Sequence, residues 1–423
     1  MQMDLREQKG KLIAQTRVIK KMDDGFAVQS QNSKRFYFVD GNGACNCPDC
    51  TTRNTKCKHS YAVQFFLAVQ KTDKQGNVTL EKVTRLSYKQ AWETYNKAQT
   101  NEVKQFEVLL ADLLESIEEP APKEGAGRPS LSLREALYCS VKKVYSQMSS
   151  RRAKGFFDQA KEKELIETSP HFNAVSKLLN KEQTTAILEK LITLSALPLK
   201  SVEHTWIADS SGFRTTQFNQ YCQEKHGKSK EHKWLKAHIV CGQKTNVISS
   251  AKVTDGNAND CPQFIPMMQE TKEAGFTIGT AVADKGYLSR ENYALIDGFG
   301  GTTLIPFKSN TTGKPKGKNH IWRKMFSYFQ LHQEEFMQRY YVRNNVETVF
   351  HMIKSKLGDN LKSKNFTAQK NELLCKIVAH NIMVLIAEVY ELGIAPQFAP
   401  FNEKGAIETC TQINEPAPLL PRN

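Results

Sequence analysis

The hydrophobic rhythm of this chain changes at Val202, and that change limits the fold more than any other single feature. Before it, apolar residues recur mostly at helical spacing. After it come short apolar runs at Val202 to Asp209, Trp234 to Val240, Val247 to Thr254, Ile278 to Asp284 and Thr303 to Phe307. Runs of this length, bounded by turn residues, read as strands. Two helices are predicted to close the region, one around Tyr341 to Leu357 and a strongly apolar one from Asn371 to Leu392. The second carries Lys376, His380, Asn381 and Glu388, so it is expected to lie against a sheet and not in a membrane. Strands followed by helices on this scale predict a mixed α/β domain.

Ahead of that domain, four of the ten cysteines crowd together as Cys45, Cys47, Cys50 and Cys57, with His59 close behind. The polar N-terminus lacks a secretory pattern, so the chain is expected to stay in the cytoplasm, where thiols remain reduced and clustered cysteines bind metal. Two short pairs, Cys45-x-Cys47 and Cys57-x-His59, can place four ligands on one tetrahedral zinc by closing a single loop. The other cysteines stand singly. The C-x-C, loop, C-x-H pattern resembles the SWIM zinc finger over roughly residues 10–69. That resemblance implies one structural zinc on Cys45, Cys47, Cys57 and His59 and a role in binding DNA or protein; Cys50 falls outside the pattern and stands as an alternative ligand.

Between the two regions the text is helical. Residues 86–116 show helical periodicity and end in Glu118-Glu119-Pro120-Ala121-Pro122, which reads as a linker. Ser132-Leu133-Arg134-Glu135 fits a capping box that starts a helix. A basic helical unit follows, with Lys142, Lys143, Arg151, Arg152 and Lys154. The expected organisation is a zinc-binding domain at 1–80, a helical segment and linker at 81–126, a helical DNA-binding domain at 127–200, the α/β domain at 201–395 and a mobile tail at 396–423.

Charge fits a polyanionic partner. Lys and Arg number 59 against 44 Asp and Glu, a net +15, and each cation placed on a phosphate releases a counterion. Lys308, Lys314, Lys316, Lys318, Arg323 and Lys324 form an acid-free stretch, read as a loop that contacts DNA.

Three carboxylates stand out by position. Asp209 ends the first strand run and Asp284 a later one, where α/β sheets present their sites. An isolated Asp in such a place caps the next turn, and that is the reading for Asp255 and Asp260. The third is Glu347. Its helix buries Val342, Val346, Val349, Phe350, Ile353 and Leu357 on one face, and at about 100° per residue Tyr340, Arg343, Glu347 and Lys354 align along the edge of that face. An i, i+4 ion pair accounts for Arg343 and Glu347 but not for Tyr340 and Lys354.

The spacing Y-x(2)-R-x(3)-E-x(6)-K resembles the signature of DDE transposases of bacterial and archaeal insertion sequences. Asp209-Ser210-Ser211-Gly212-Phe213, Asp284-Lys285-Gly286-Tyr287, Asn345-Val346-Glu347 and Asn381-Ile382 extend the likeness over residues 127–393. The resemblance implies a ribonuclease H-like catalytic domain in which Asp209, Asp284 and Glu347 bind two Mg²⁺ (or Mn²⁺) ions. It gives Arg343 and Lys354 to phosphates and Tyr340 to an end nucleotide. It further implies a nucleoid-associated enzyme of a prokaryotic cell that binds the inverted-repeat ends of its element, cleaves them and joins the 3′ ends to double-stranded target DNA, as a homodimer in the DNA complex and without a membrane partner. The rival readings are a catalytically silent, transposase-derived DNA-binding protein and a nuclease on the ribonuclease H fold. The complete carboxylate triad argues against the first, and the Tyr, Arg and Lys stripe against the second.

Overall fold

The computed structural model describes residues 5–22, 24–31, 35–53, 56–73, 92–121, 131–215, 234–314 and 320–398. The chain divides into two compact units, Met1–Gln90 and Ala91–Asn423. In the smaller unit, helix α1 (Leu5–Thr16) precedes an antiparallel sheet of β1 (Ile19–Met22), β2 (Gly25–Gln29) and β3 (Phe36–Asp40), and helices α2 (Pro48–Arg53) and α3 (Lys58–Asp73) follow. Helices α1 and α3 cross so closely that a Cβ on Gly10 would lie 2.4 Å from the Cβ of Tyr61, so only glycine fits there. Ile13, Val28, Val39, Ala62 and Val63 form a small core around the buried Cys45, Cys47 and Cys57.

The larger unit begins with five helices: α4 (Trp92–Glu115), α5 (Leu133–Tyr145), α6 (Ser150–Glu162), α7 (Phe172–Leu179) and α8 (Gln183–Ala196). The sheet strands are β4 (Thr205–Arg214), β5 (Trp234–Gly242), β6 (Ile248–Asp255), β7 (Thr280–Ala283) and β8 (Thr302–Leu304). Their order is β6-β5-β4-β7-β8, antiparallel from β6 to β4 and parallel from β4 to β8. Helix α9 (Cys261–Glu273) joins β6 to β7, and α10 (Arg290–Gly298) makes the crossover to β8. Helices α11 (His320–Leu331), α12 (Gln333–Tyr340), α13 (Asn344–Leu357) and α14 (Phe366–Glu391) complete the chain. This is the mixed α/β sheet with flanking helices that the strand pattern predicts. One boundary differs in a way that matters: β4 runs on to Arg214, so Asp209 lies inside the strand and not at its end.

Helix α14 is long and apolar enough to cross a membrane by length and composition, yet 83% of its apolar window is buried within the fold. It packs against α4, α5, α8 and β6, and Leu373, Leu374, Ile377, Ile382 and Leu385 are fully buried. Each such side chain contributes about 1.5–3 kcal/mol relative to exposure.

Four expectations for the helical region are corrected. Phe106, Leu110, Leu113 and Leu114 of α4 join the same core as the sheet and as α5 to α8, so helices α4 to α8 have no core of their own. Glu119, read as linker, is a structural cap. Its carboxylate accepts hydrogen bonds from Leu133 N (2.8 Å) and Arg134 N (2.7 Å) and from the Ser132 hydroxyl. Ser132 caps Glu135 N at 3.3 Å as expected, but Glu135 accepts from Thr168 N at 2.7 Å instead of reaching back. The fourth correction is Lys142, which is 3% exposed and pairs with buried Glu107 at 2.7 Å, so it faces the core and not DNA.

Candidate active site

The parallel pairing of β4 with β7 runs from Thr205↔Thr280 to Ala208↔Ala283. Asp209 is the next residue on β4, and Asp284 is the first residue after β7. Neighbouring strands lie about 4.8 Å apart, so the two carboxylates leave the sheet side by side. Asp284 also caps the following turn, accepting from Gly286 N at 2.7 Å. Cap and site duty fall on the same residue.

Glu347 arrives from the other direction. Helix α12 ends at Tyr340, a 3₁₀ turn spans Tyr341–Arg343, and α13 carries Glu347 in its first turn. The continuous helix expected over Tyr341 to Leu357 is thus interrupted at its start, but the edge stripe survives. Val346, Val349, Phe350, Ile353 and Leu357 are buried, and Gly358 ends the helix at φ +80°, a conformation suited to glycine. Arg343 bridges two of the carboxylates, donating from Nη2 to Asp209 Oδ2 at 2.9 Å and from Nη1 to Glu347 Oε1 at 3.1 Å. Lys354 Nζ donates to Ser211 Oγ at 2.7 Å and lies over the Phe213 ring at 5.0 Å. Asp209, Ser211 and Phe213 alternate along β4, and that face carries the contacts to Arg343 and Lys354. Tyr340, half-buried, lines a cleft of about 650 Å³ with Asp284, Lys285 and Arg343.

Burial pushes the Asp209 carboxyl up to about 6; the Ser210 N–H and the Arg343 guanidinium pull it down, while Asp284 and Asp260 push it up. The Tyr340 hydroxyl is raised by burial and by Asp284, Asp209 and Glu347, against Arg343. Negative charge therefore converges here beyond what one guanidinium neutralises. Three carboxylates are hard oxygen donors, the ligand type that divalent cations of the Mg²⁺ or Mn²⁺ kind take.

Several residues that shape the site were not legible as such. Asp260 was read as a helix cap, but it makes no side-chain cap bond. Its carboxylate instead accepts from Ser210 Oγ at 3.0 Å and Lys236 Nζ at 3.1 Å, with His238 Nδ1 at 3.5 Å. Asp255 does serve its turn, accepting from Asn257 N at 3.0 Å. Asn345 fastens the start of α13 to the turn after β5 through Gln243 O (2.6 Å) and Asn246 Oδ1 (2.8 Å). Asn381 is structural: it accepts from Ile248 N and donates to Ile248 O, Ile192 O and Ser195 Oγ. The alternation Lys236-x-His238 in β5 was the one available signal for the Asp260 cluster.

Of the basic residues singled out from sequence, Arg151 and Arg152 are exposed on α6. Lys314 is exposed, but its segment folds back: Arg290 Nη2 donates to Lys314 O at 2.8 Å and Trp322 Nε1 to Thr312 O at 3.0 Å. Arg323 and Lys324 lie on helix α11, not in a loop. Lys316 and Lys318 are outside the described residues, as are 81–91, 122–130 and the end of the tail from 399.

In the smaller unit, the ligand atoms of Cys45, Cys47, Cys57 and His59 all lie within 4.8 Å of one another, and all four residues are buried. His59 Nδ1 is 3.9 Å from Cys45 Sγ and 3.8 Å from Cys57 Sγ. A tetrahedral zinc with bonds of about 2.0–2.3 Å spaces its ligand atoms by about 3.3–3.8 Å, so the cluster fits the ion. The hydrogen bond between Cys45 and Cys57 pulls the Cys57 thiol below its ordinary value and pushes the Cys45 thiol above it, while burial raises both. Cys50 sits on α2, half-buried and outside the cluster.

Residues 201–382 match the family model described as Transposase DDE domain. Among solved structures, the chain is similar to a piggyBac transposase synaptic complex with hairpin DNA determined by cryo-EM, at 12% identity and a TM-score of 0.33, over 72% of this chain and 77% of that one. Residues 201–382 are a transposase DDE domain with a ribonuclease H-like fold, and the enzyme activity is that of a DDE transposase.

Proposed function

We propose that this DDE transposase binds the inverted-repeat ends of its own element, cleaves a phosphodiester bond at each and joins the 3′ ends to target DNA. The observation that carries the reading is the convergence of Asp209 and Asp284, consecutive with the last parallel register pair, on Glu347 through the Arg343 bridge. Asp209, Asp284 and Glu347 would hold two Mg²⁺ or Mn²⁺ ions. When bound, such a pair supplies Lewis-acid stabilisation of the attacking and leaving oxygens of the scissile phosphodiester.

The chain's own side chains do the rest. Arg343 is half-buried among the carboxylates and presents a planar fork suited to a phosphate. Lys354 holds a neighbouring phosphate two turns along α13. Tyr340 offers a ring to the end nucleotide at the cleft it lines with Asp284. Arg151, Arg152, Lys314, Lys316 and Lys318 contact DNA farther out. The Cys45, Cys47, Cys57 and His59 cluster is a SWIM-type finger holding one structural zinc, and the working complex is a homodimer with one active site per end, acting on the nucleoid of a prokaryotic cell.

The test uses DNA carrying the flanks of the gene. The parent is expected to nick and join these ends only with Mg²⁺ or Mn²⁺, while Asp209→Ala and Glu347→Gln bind the same DNA and fall to background cleavage. If either variant cleaves as well as the parent, the site assignment is wrong.

A further inference from the structure

A second cationic feature lies away from the carboxylates. The starts of α6, α7 and α14 converge on a groove of about 630 Å³, whose charged lining is Lys143, Arg151, Lys362 and Lys364, with no carboxylate among its residues. First-turn amides of a helix are unpaired donors at the positive end of its dipole, and Asn365, the cap residue of α14, makes no side-chain cap bond. Lys143 is the informative member. It is 6% exposed and lines the groove, and among the described residues its ammonium has no hydrogen bond or ion pair. Its neighbour in sequence, Lys142, has Glu107 at 2.7 Å. The stem is buried and the ammonium, without a partner among the described residues, is placed to pair with an anion in the groove. Burial and Lys143 hold the Lys362 ammonium below its ordinary range while Glu372 acts in the opposite sense, and Lys362 Nζ donates to Gln147 O. The Arg151 guanidinium lies over the Phe172 ring at 5.5 Å on the groove wall.

We propose that this groove holds backbone phosphates of the DNA duplex that leads away from the carboxylate site. The groove is reached from Glu347 by following α13 to Leu357 and then the segment to Lys362. Ten residues of helix advance about 15 Å, and one strand of duplex advances about 3.4 Å per nucleotide, so the contact falls at least about four base pairs from the scissile phosphate. Four cations spread along a groove suit a chain of phosphodiesters better than a single small anion. The inference rests on the DNA-acting reading above and extends it from Arg151 to Lys143, Lys362 and Lys364.

The test is binding of a fluorescent duplex, carrying one end of the gene's flanks, to the full-length protein in chelator, so that cleavage plays no part. Affinity is measured over a salt series for the parent, for Arg151→Ala/Lys362→Ala/Lys364→Ala, for Lys143→Met, and for Lys104→Ala/Lys161→Ala/Lys272→Ala as a charge-matched control outside the groove. Each lost phosphate contact lowers the salt slope by about 0.9. The triple groove variant is expected to lose about 2.7 in slope and on the order of 100-fold in affinity at 0.15 M salt, and Lys143→Met about 0.9 in slope, while the control stays within error. Thermal unfolding in the absence of DNA keeps a folding defect distinguishable: the triple variant, made at exposed positions, is expected to melt like the parent. A groove variant that matches the control in slope and affinity overturns the inference while leaving cleavage by the carboxylates intact. A parent that binds no DNA overturns both.

Discussion

Asp209 makes a prediction that runs against the usual sense of a damaging mutation: in chelator, Asp209→Asn is more stable than the parent. The carboxyl is buried, with a side chain 13% exposed, and it is pushed up to about 6 from an ordinary 3.8. A rise from 3.8 to about 6 is worth about 3 kcal/mol in the folded state. The sign follows from which state holds the proton. Below pH 3.8 the acid is neutral in both folded and unfolded chains and nothing is lost. Between 3.8 and 6 the unfolded chain ionises first, so stability falls as pH rises, and above 6 the loss is complete. Asparagine mimics the neutral acid at every pH, including the loss of attraction to Arg343, so the variant escapes the penalty. Urea unfolding of both proteins between pH 4 and 8, followed by tryptophan fluorescence, should give curves that converge near pH 4 and separate by about 3 kcal/mol above pH 6.5. A variant less stable than the parent at pH 7.5, or a difference that does not change with pH, would refute the reasoning. The same variant should neither nick nor join DNA, which would mark Asp209 as kept for chemistry at a cost in stability.

Other perturbations separate the remaining roles. Cys57→Ser should abolish zinc binding and unfold the smaller unit, whereas Cys50→Ser should retain one equivalent of zinc by metal analysis, because Cys50 stands outside the cluster. Lys142→Met leaves Glu107 buried with only the half-exposed Lys163 and should cost about 3–5 kcal/mol in urea unfolding without altering the salt slope of DNA binding; a lowered slope with unchanged stability would return Lys142 to the DNA surface. Asn381→Ala strands the Ile248 N–H and further buried partners, at about 1–3 kcal/mol for each unsatisfied group. Cleavage per folded molecule should be unchanged, since Asn381 touches none of the three carboxylates.

How much of this was legible beforehand depended on range. The strand runs after Val202, the apolar face of α13 and the buried character of α14 appear as periodicity, which a short window of residues contains. The Cys/His cluster was legible because its residues come in two tight pairs and close one loop. The Asp260 cluster was not: Lys236, His238 and Asp260 are joined by strand pairing and a helix start, and nothing local distinguishes Asp260 from any capping aspartate. Glu119 was misread for the same reason, since a Pro-flanked acidic stretch looks like a linker until the Arg134 N–H is seen to meet it.

Sequence alone determined the element types, the α/β class of the second half and the residues able to carry charge or metal, because spacing along one helix or strand dictates which side chains share a face. Only the tertiary structure decided what each charge faces. Lys142, Lys143 and Arg151 read alike as basic residues, yet one is neutralised by Glu107, one is buried without a partner and one lies exposed on a groove wall. Arg343 likewise has its Glu347 partner in the same helical run, but its shorter contact, to Asp209, spans 134 positions of sequence. Electrostatic energy depends on distance through space and on the water excluded around the charges, and both come into being only when distant segments close into one core.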